Sequence, residues 1–95
     1  MDLSNPAKLR ATITDIVTDI GTSMGMPIAP GAIDALVAPG LSGKHELHNV
    51  DPVRLRWALA AVIREVPQTE PPSPVDARAV SHAIARSQCH YLWFC

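Results

Sequence analysis

The sequence predicts an all-α protein: a small bundle of about four helices, with a proline-rich connector before the last helix and an aromatic C-terminal tail. Three observations lead there. Apolar residues recur at helical rather than alternating spacing along the longer segments. Asn5-Pro6 and Asp51-Pro52 each place an oxygen-bearing cap before a proline, where a missing N–H does no harm. Proline and glycine clusters punctuate the chain between the periodic stretches. With 95 residues, 47% of them hydrophobic, the chain reads as one small domain rather than a disordered segment.

The first helix opens at Asn5-Pro6 and carries Leu9, Ile13, Ile16, Val17 and Ile20 on one face, and Gly21 is expected to close it. Its charges are poorly placed for an isolated helix. Lys8 and Arg10 lie near the positive end of the helix dipole, while Asp15 and Asp19 are like charges one turn apart near the negative end. Each mismatch costs roughly a few tenths of a kcal/mol. Arginines from a neighbouring helix or a partner can offset that cost, although a solvated acidic face is the commoner arrangement. Ser23 to Ala29 reads as a loop rich in Gly, Met and Pro. A short helix is expected from Pro30 to Ala38, with Ile33, Leu36 and Val37 inward and Pro39-Gly40 as its stop. Leu41 to Val50 is irregular, and the clearest helix then runs from Pro52 to about Val66.

That third helix places Leu55, Leu59, Val62, Ile63 and Val66 on a core-facing stripe. Trp57 projects nearly opposite, with Val53, Ala60 and Arg64. Two apolar faces mean a central helix packed on both sides, the arrangement the sequence favours, or a second surface for a partner. Trp and Arg are enriched at binding hot spots, which singles out Trp57 and Arg64.

Pro67 to Pro74 reads as an extended, semi-rigid connector. Ser73-Pro74-Val75-Asp76 has capping-box spacing and introduces a fourth helix. Ala77, Val80, Ile84 and Tyr91 share one of its faces, while Arg78, His82, Arg86 and Cys89 lie around the other side. The organisation is therefore a helical body over 1–66, a connector over 67–74, and a helical arm with an aromatic tail over 75–95.

Net charge is −1. That balance gives no electrostatic footprint for nucleic acid and no polybasic membrane anchor. No secretory signal pattern opens the chain and no apolar run is long enough to span a bilayer, so a cytoplasmic location, with reduced thiols, is expected.

Three of the four aromatic residues, Tyr91, Trp93 and Phe94, fall in the last five positions. With Leu92 they are candidates to bind a partner, to pair with a second copy, or to fold back beside Leu55, Leu59 and Val62. Cys89 and Cys95 bracket the tail, and a disulfide between them is possible only where the tail leaves the helix. His45 and His48 with Cys89, His90 and Cys95 offer imidazole and thiolate for zinc, though in no diagnostic spacing. Gly21-Thr22-Ser23-Met24-Gly25 matches the G-x-S-x-G nucleophile pattern, but that elbow needs a preceding strand, and a helix end is the expected context for Ser23.

A folded body, a proline spacer and a Cys- and aromatic-rich end resemble the leader-and-core layout of ribosomally made, modified peptide precursors. The resemblance implies a modified core within Cys89 to Cys95. The reading the sequence favours is a non-catalytic interaction module that binds a protein partner or itself through the Trp57 face and the aromatic tail. The precursor comes second and a small zinc-binding domain third.

Overall fold

Asn5 caps the first helix as its sequence predicts: its side-chain oxygen accepts hydrogen bonds from the amides of Ala7 and Lys8 at 2.9 and 3.3 Å. In the computed structural model, which describes residues 1–43, 45–69, 71 and 73–87, this helix, α1, runs Pro6–Met24. It is followed by α2 (Pro30–Val37), a 3-10 turn (Ala38–Ser42), α3 (Pro52–Arg64) and α4 (Ala77–Arg86). The small all-helical bundle is thus as expected.

α1 does not stop at Gly21. It continues to Met24 and ends at Gly25, whose φ of 67° is the left-handed conformation that glycine adopts without a Cβ clash. The Met26 amide donates to the Gly21 carbonyl at 2.8 Å and the Gly25 amide to that of Thr22 at 3.3 Å, a Schellman closure. Gly21 has another purpose. A Cβ built there would lie 2.6 Å from the Met26 carbonyl oxygen and 2.8 Å from Ile28 Cγ1. The chain leaving α1 folds straight back over this residue, burying Met26.

α2 ends at Val37, just before Pro39-Gly40, as expected, but the chain goes on into a 3-10 turn rather than a loop. Pro39 sits in the first turn of the 3-10 stretch, where no N–H is required, and the chain turns only at Gly43, φ 79°. α3 begins at the Asp51 cap, whose carboxylate accepts from the Val53 and Arg54 amides at 2.9 and 3.3 Å.

Thr69 and Ser73 of the proline-rich connector are hydrogen-bonded to each other, nearer than the extended connector expected from the sequence would place them. Thr69 Oγ1 donates to the Pro71 carbonyl and accepts from the Ser73 amide. Val75 then forms a parallel bridge with Ile28: its amide donates to the Pro27 carbonyl at 2.8 Å and its carbonyl accepts from the Ala29 amide at 2.9 Å. That bridge holds the chain extended past Ser73, so Asp76, not Ser73, caps α4, accepting from the Ala79 amide at 2.8 Å.

One core unites the four helices. Leu9, Ile13 and Val17 of α1, Leu36 of α2, Leu55, Leu59, Val62 and Ile63 of α3 and Val80 of α4 are all buried in it. α4 lies against α2 and α3 through Val80 and Ala83. Ala77, expected on that inner face, is exposed, and Ala83 takes its place. Leu3 is fully buried too, because its amide donates to the Leu47 carbonyl while Met1 and Val50 exchange backbone hydrogen bonds. Nothing in the sequence pattern indicated this pairing of the first residues with the 47–50 loop.

Candidate partner-binding groove

Burying Leu55, Ala58, Leu59, Val62 and Ile63 fixes the rotation of α3 and turns its other face outward. Trp57 is consequently 70% exposed and Val53 58% exposed. The packing of α3 on both sides that the sequence favoured is not realised; the Trp57 face is a surface. Residues 53, 57, 60 and 64 follow one another along that face at steps of one helical turn.

The surface is concave. Trp57, Ala60 and Arg64 of α3 meet Ile20, Ser23 and Met24 of α1 around a depression of about 340 Å³. Arg56 closes one side of it by reaching across to Asp19 of α1 in an ion pair. This contact answers one of the two misplaced acidic charges of α1: an arginine from a neighbouring helix pairs with Asp19, which stays largely exposed, while Asp15 faces solvent as the sequence favoured. Arg10 similarly pairs with Asp34 of α2. Both pairs are substantially exposed, so each orients side chains more than it stabilises the fold.

Chemically the depression offers an indole, a thioether and two guanidiniums, one of them already engaged. Trp57 supplies apolar area at low conformational cost, Met24 adapts to irregular shapes, and Arg64 presents a fork suited to a carboxylate or an aromatic face. Ser23 lines the same depression from the last turn of a helix, without the strand-to-helix elbow that would activate a serine.

The structure therefore brings Trp57 and Arg64 together. The remaining partner-binding candidates, Tyr91, Leu92, Trp93 and Phe94, and the cysteines Cys89 and Cys95 lie outside the described residues. His45 and His48 line a separate depression of about 290 Å³. There His48 Nδ1 is 3.6 Å from Asp2 and Nε2 is 4.0 Å from Glu46. The Ser4 amide and hydroxyl both donate to the Asp2 carboxylate, and these bonds hold its pKa below the ordinary value. Among the described residues no three His, Cys, Asp or Glu side chains are grouped to hold a metal ion. His90, like Cys89 and Cys95, falls outside that set. No described helix is long and apolar enough to cross a membrane.

Sequence reasoning missed the α1 contribution of Ile20, Met24 and the Asp19–Arg56 bridge. Its one signal was the acidic pair at the wrong end of α1, which asked for a cation from elsewhere. Comparison with family models, curated proteins and solved structures finds no match for the chain.

Proposed function

We propose that this chain is a small, non-catalytic helical interaction module that binds a protein partner, or a second copy of itself, through the Trp57 groove, with the aromatic segment Tyr91 to Phe94 contributing to the same association. The observation that supports this reading is the 70% exposure of Trp57 in a concave seam between two helices. Covering that indole releases apolar area worth about 3 kcal/mol, a large return for a single side chain. No such return is realised while the ring stays in water, and exposed tryptophan beside arginine is the composition of a hot spot.

The test places a photo-crosslinking residue at position 57 and, as a control, at position 18 on the exposed side of α1. A discrete adduct from position 57 alone, to another protein or to a second copy, is the expected result. Trp57→Ala should lose that association while unfolding within about 0.5 kcal/mol of the parent, since an exposed side chain contributes little to the core. Equal adducts from both positions, or an association untouched by Trp57→Ala, would refute the reading.

A further inference from the structure

The outer row of α3 is symmetric in its spacing. Val53, Trp57, Ala60 and Arg64 follow one another by four, three and four residues, so the row reads alike from either end. Reversing α3 about a point midway between Trp57 and Ala60 exchanges those two positions, and exchanges Val53 with Arg64. We infer that this face closes on a second copy of the same chain, as a two-fold pair with the two α3 helices antiparallel. The inference rests on the Trp57 groove being a partner surface and names the partner.

Shape is the first argument. In that arrangement the Trp57 ring of each copy lies over Ala60 of the other, where the depression of about 340 Å³ beside Ile20 and Met24 is open to receive it. A large side chain set against a small one is how facing helices interdigitate, and a two-fold pair makes each such contact twice.

Charge is the second. α1 and α3 run the same way along the seam. Met1 and Val50 exchange backbone hydrogen bonds before the two helices begin, Asp19 pairs with Arg56, and Met24 and Met26 share a depression with Pro67 and Gln68 just past the end of α3. Arg64 therefore stands at one end of the seam. Asp15, one turn before Asp19 on the same side of α1, stands towards the other. Both are exposed, and among the described residues neither forms an ion pair. The two-fold keeps α1 on the same side of both copies and exchanges the ends, so each Arg64 arrives on the side of Asp15 of the other copy. Arg56, already held by Asp19, leaves Asp15 for the incoming guanidinium. A parallel pair would instead set Arg64 level with Arg64 and Trp57 level with Trp57. The contact is small, below the roughly 1,200 Å² of standard interfaces, so the dimer is expected to form only between about 10 µM and 1 mM.

The experiment is sedimentation equilibrium of the full chain across that range, at low salt and with thiols kept reduced. The parent should pass from monomer to dimer, and Trp57→Ala should stay monomeric. Arg64→Glu and Asp15→Arg each set like charges together and should each weaken self-association at least about fivefold. Mixed in equal amounts, these two variants regain both opposite-charge pairs, and their mixed dimer should form within about threefold of the parent's affinity. Damage to the fold cannot produce that recovery. Self-association indifferent to Trp57→Ala, or charge variants that bind each other no better than themselves, overturns the inference. So does a parent that stays monomeric at about 1 mM. In that case a crosslink from position 57 to another protein leaves the groove reading standing, one to residues 88–95 of the same chain gives the groove to that segment, and no crosslink overturns both readings.

Discussion

Gly21→Ala isolates a conflict between local and tertiary preference. In an exposed helix interior, replacing Gly with Ala stabilises by about 0.8–1 kcal/mol, because Ala loses less backbone entropy. At Gly21 the added methyl would stand 2.6 Å from a backbone oxygen and 2.8 Å from Ile28 Cγ1, closer than real Cβ contacts allow. The Met26 carbonyl is not a flexible side chain. To move it, the return segment must lift, loosening the buried Met26 and the 2.8 Å bond that the Met26 amide donates to Gly21. Overpacking costs about 1–3 kcal/mol and the weakened hydrogen bond about 0.5–1.5 kcal/mol. Set against the propensity gain, the net is a loss of about 1–3 kcal/mol. Urea unfolding followed by circular dichroism reads it directly, and thermal melting should fall by about 4–8 °C per kcal/mol lost. Gly31→Ala is the internal control: its Cβ would meet only Ala77, the Cβ at 3.6 Å and the backbone nitrogen at 3.8 Å, both ordinary contacts, and it should be neutral or stabilising by up to about 1 kcal/mol. If Gly21→Ala stabilised the protein as Gly31→Ala does, the close return of the chain over α1 would be wrong.

Three further outcomes are expected. Asp51→Ala removes the cap that accepts from Val53 and Arg54 and should cost about 1 kcal/mol by chemical denaturation, with Asp51→Asn retaining most of it. A double-mutant cycle of Asp19→Asn and Arg56→Gln should return a coupling of about 0.2–1 kcal/mol, because both side chains are about half exposed, and the coupling should vanish at high salt; no coupling at low salt would remove the bridge across the groove. The Asp2 carboxyl, stabilised as the anion by the Ser4 amide and hydroxyl, should titrate below 3.8 by carbon-detected NMR. Because its folded pKa is lowered, its contribution is present above the unfolded value and is lost as pH falls through the folded one. Asp2→Asn should therefore blunt the acid sensitivity below about pH 3.8, and Ser4→Ala should move the Asp2 titration upward.

The candidate groove was half legible. Trp57 and Arg64 stood out because a helix with one complete apolar stripe should not carry a tryptophan opposite it. Whether that tryptophan would be covered was not written in α3 at all. It depended on where α1 crosses, and α1 crosses so that Met24 and Ile20 flank the ring without covering it. The arginine row of α4 was visible as a polar side, but the depression it walls with Glu65 and Pro67 was not, because that needs α4 packed back beside the end of α3.

By itself the sequence determined the helices, two of their caps and most of their inner faces. These follow from interactions a few residues apart: the apolar period, an Asx oxygen within reach of the next amides, a proline that needs no donor. Tertiary structure decided what depended on distant partners. Gly21 continues a helix because the chain returning at Met26 leaves no room for a side chain and Gly25 supplies the turn. Ser73 yields the α4 cap to Asp76 because Val75 is held extended against Pro27 and Ala29. Leu3 is core because the 47–50 loop accepts its backbone. A short-range pattern records the preference of each segment, and only the packed chain sets which preference is met when two segments compete for the same space.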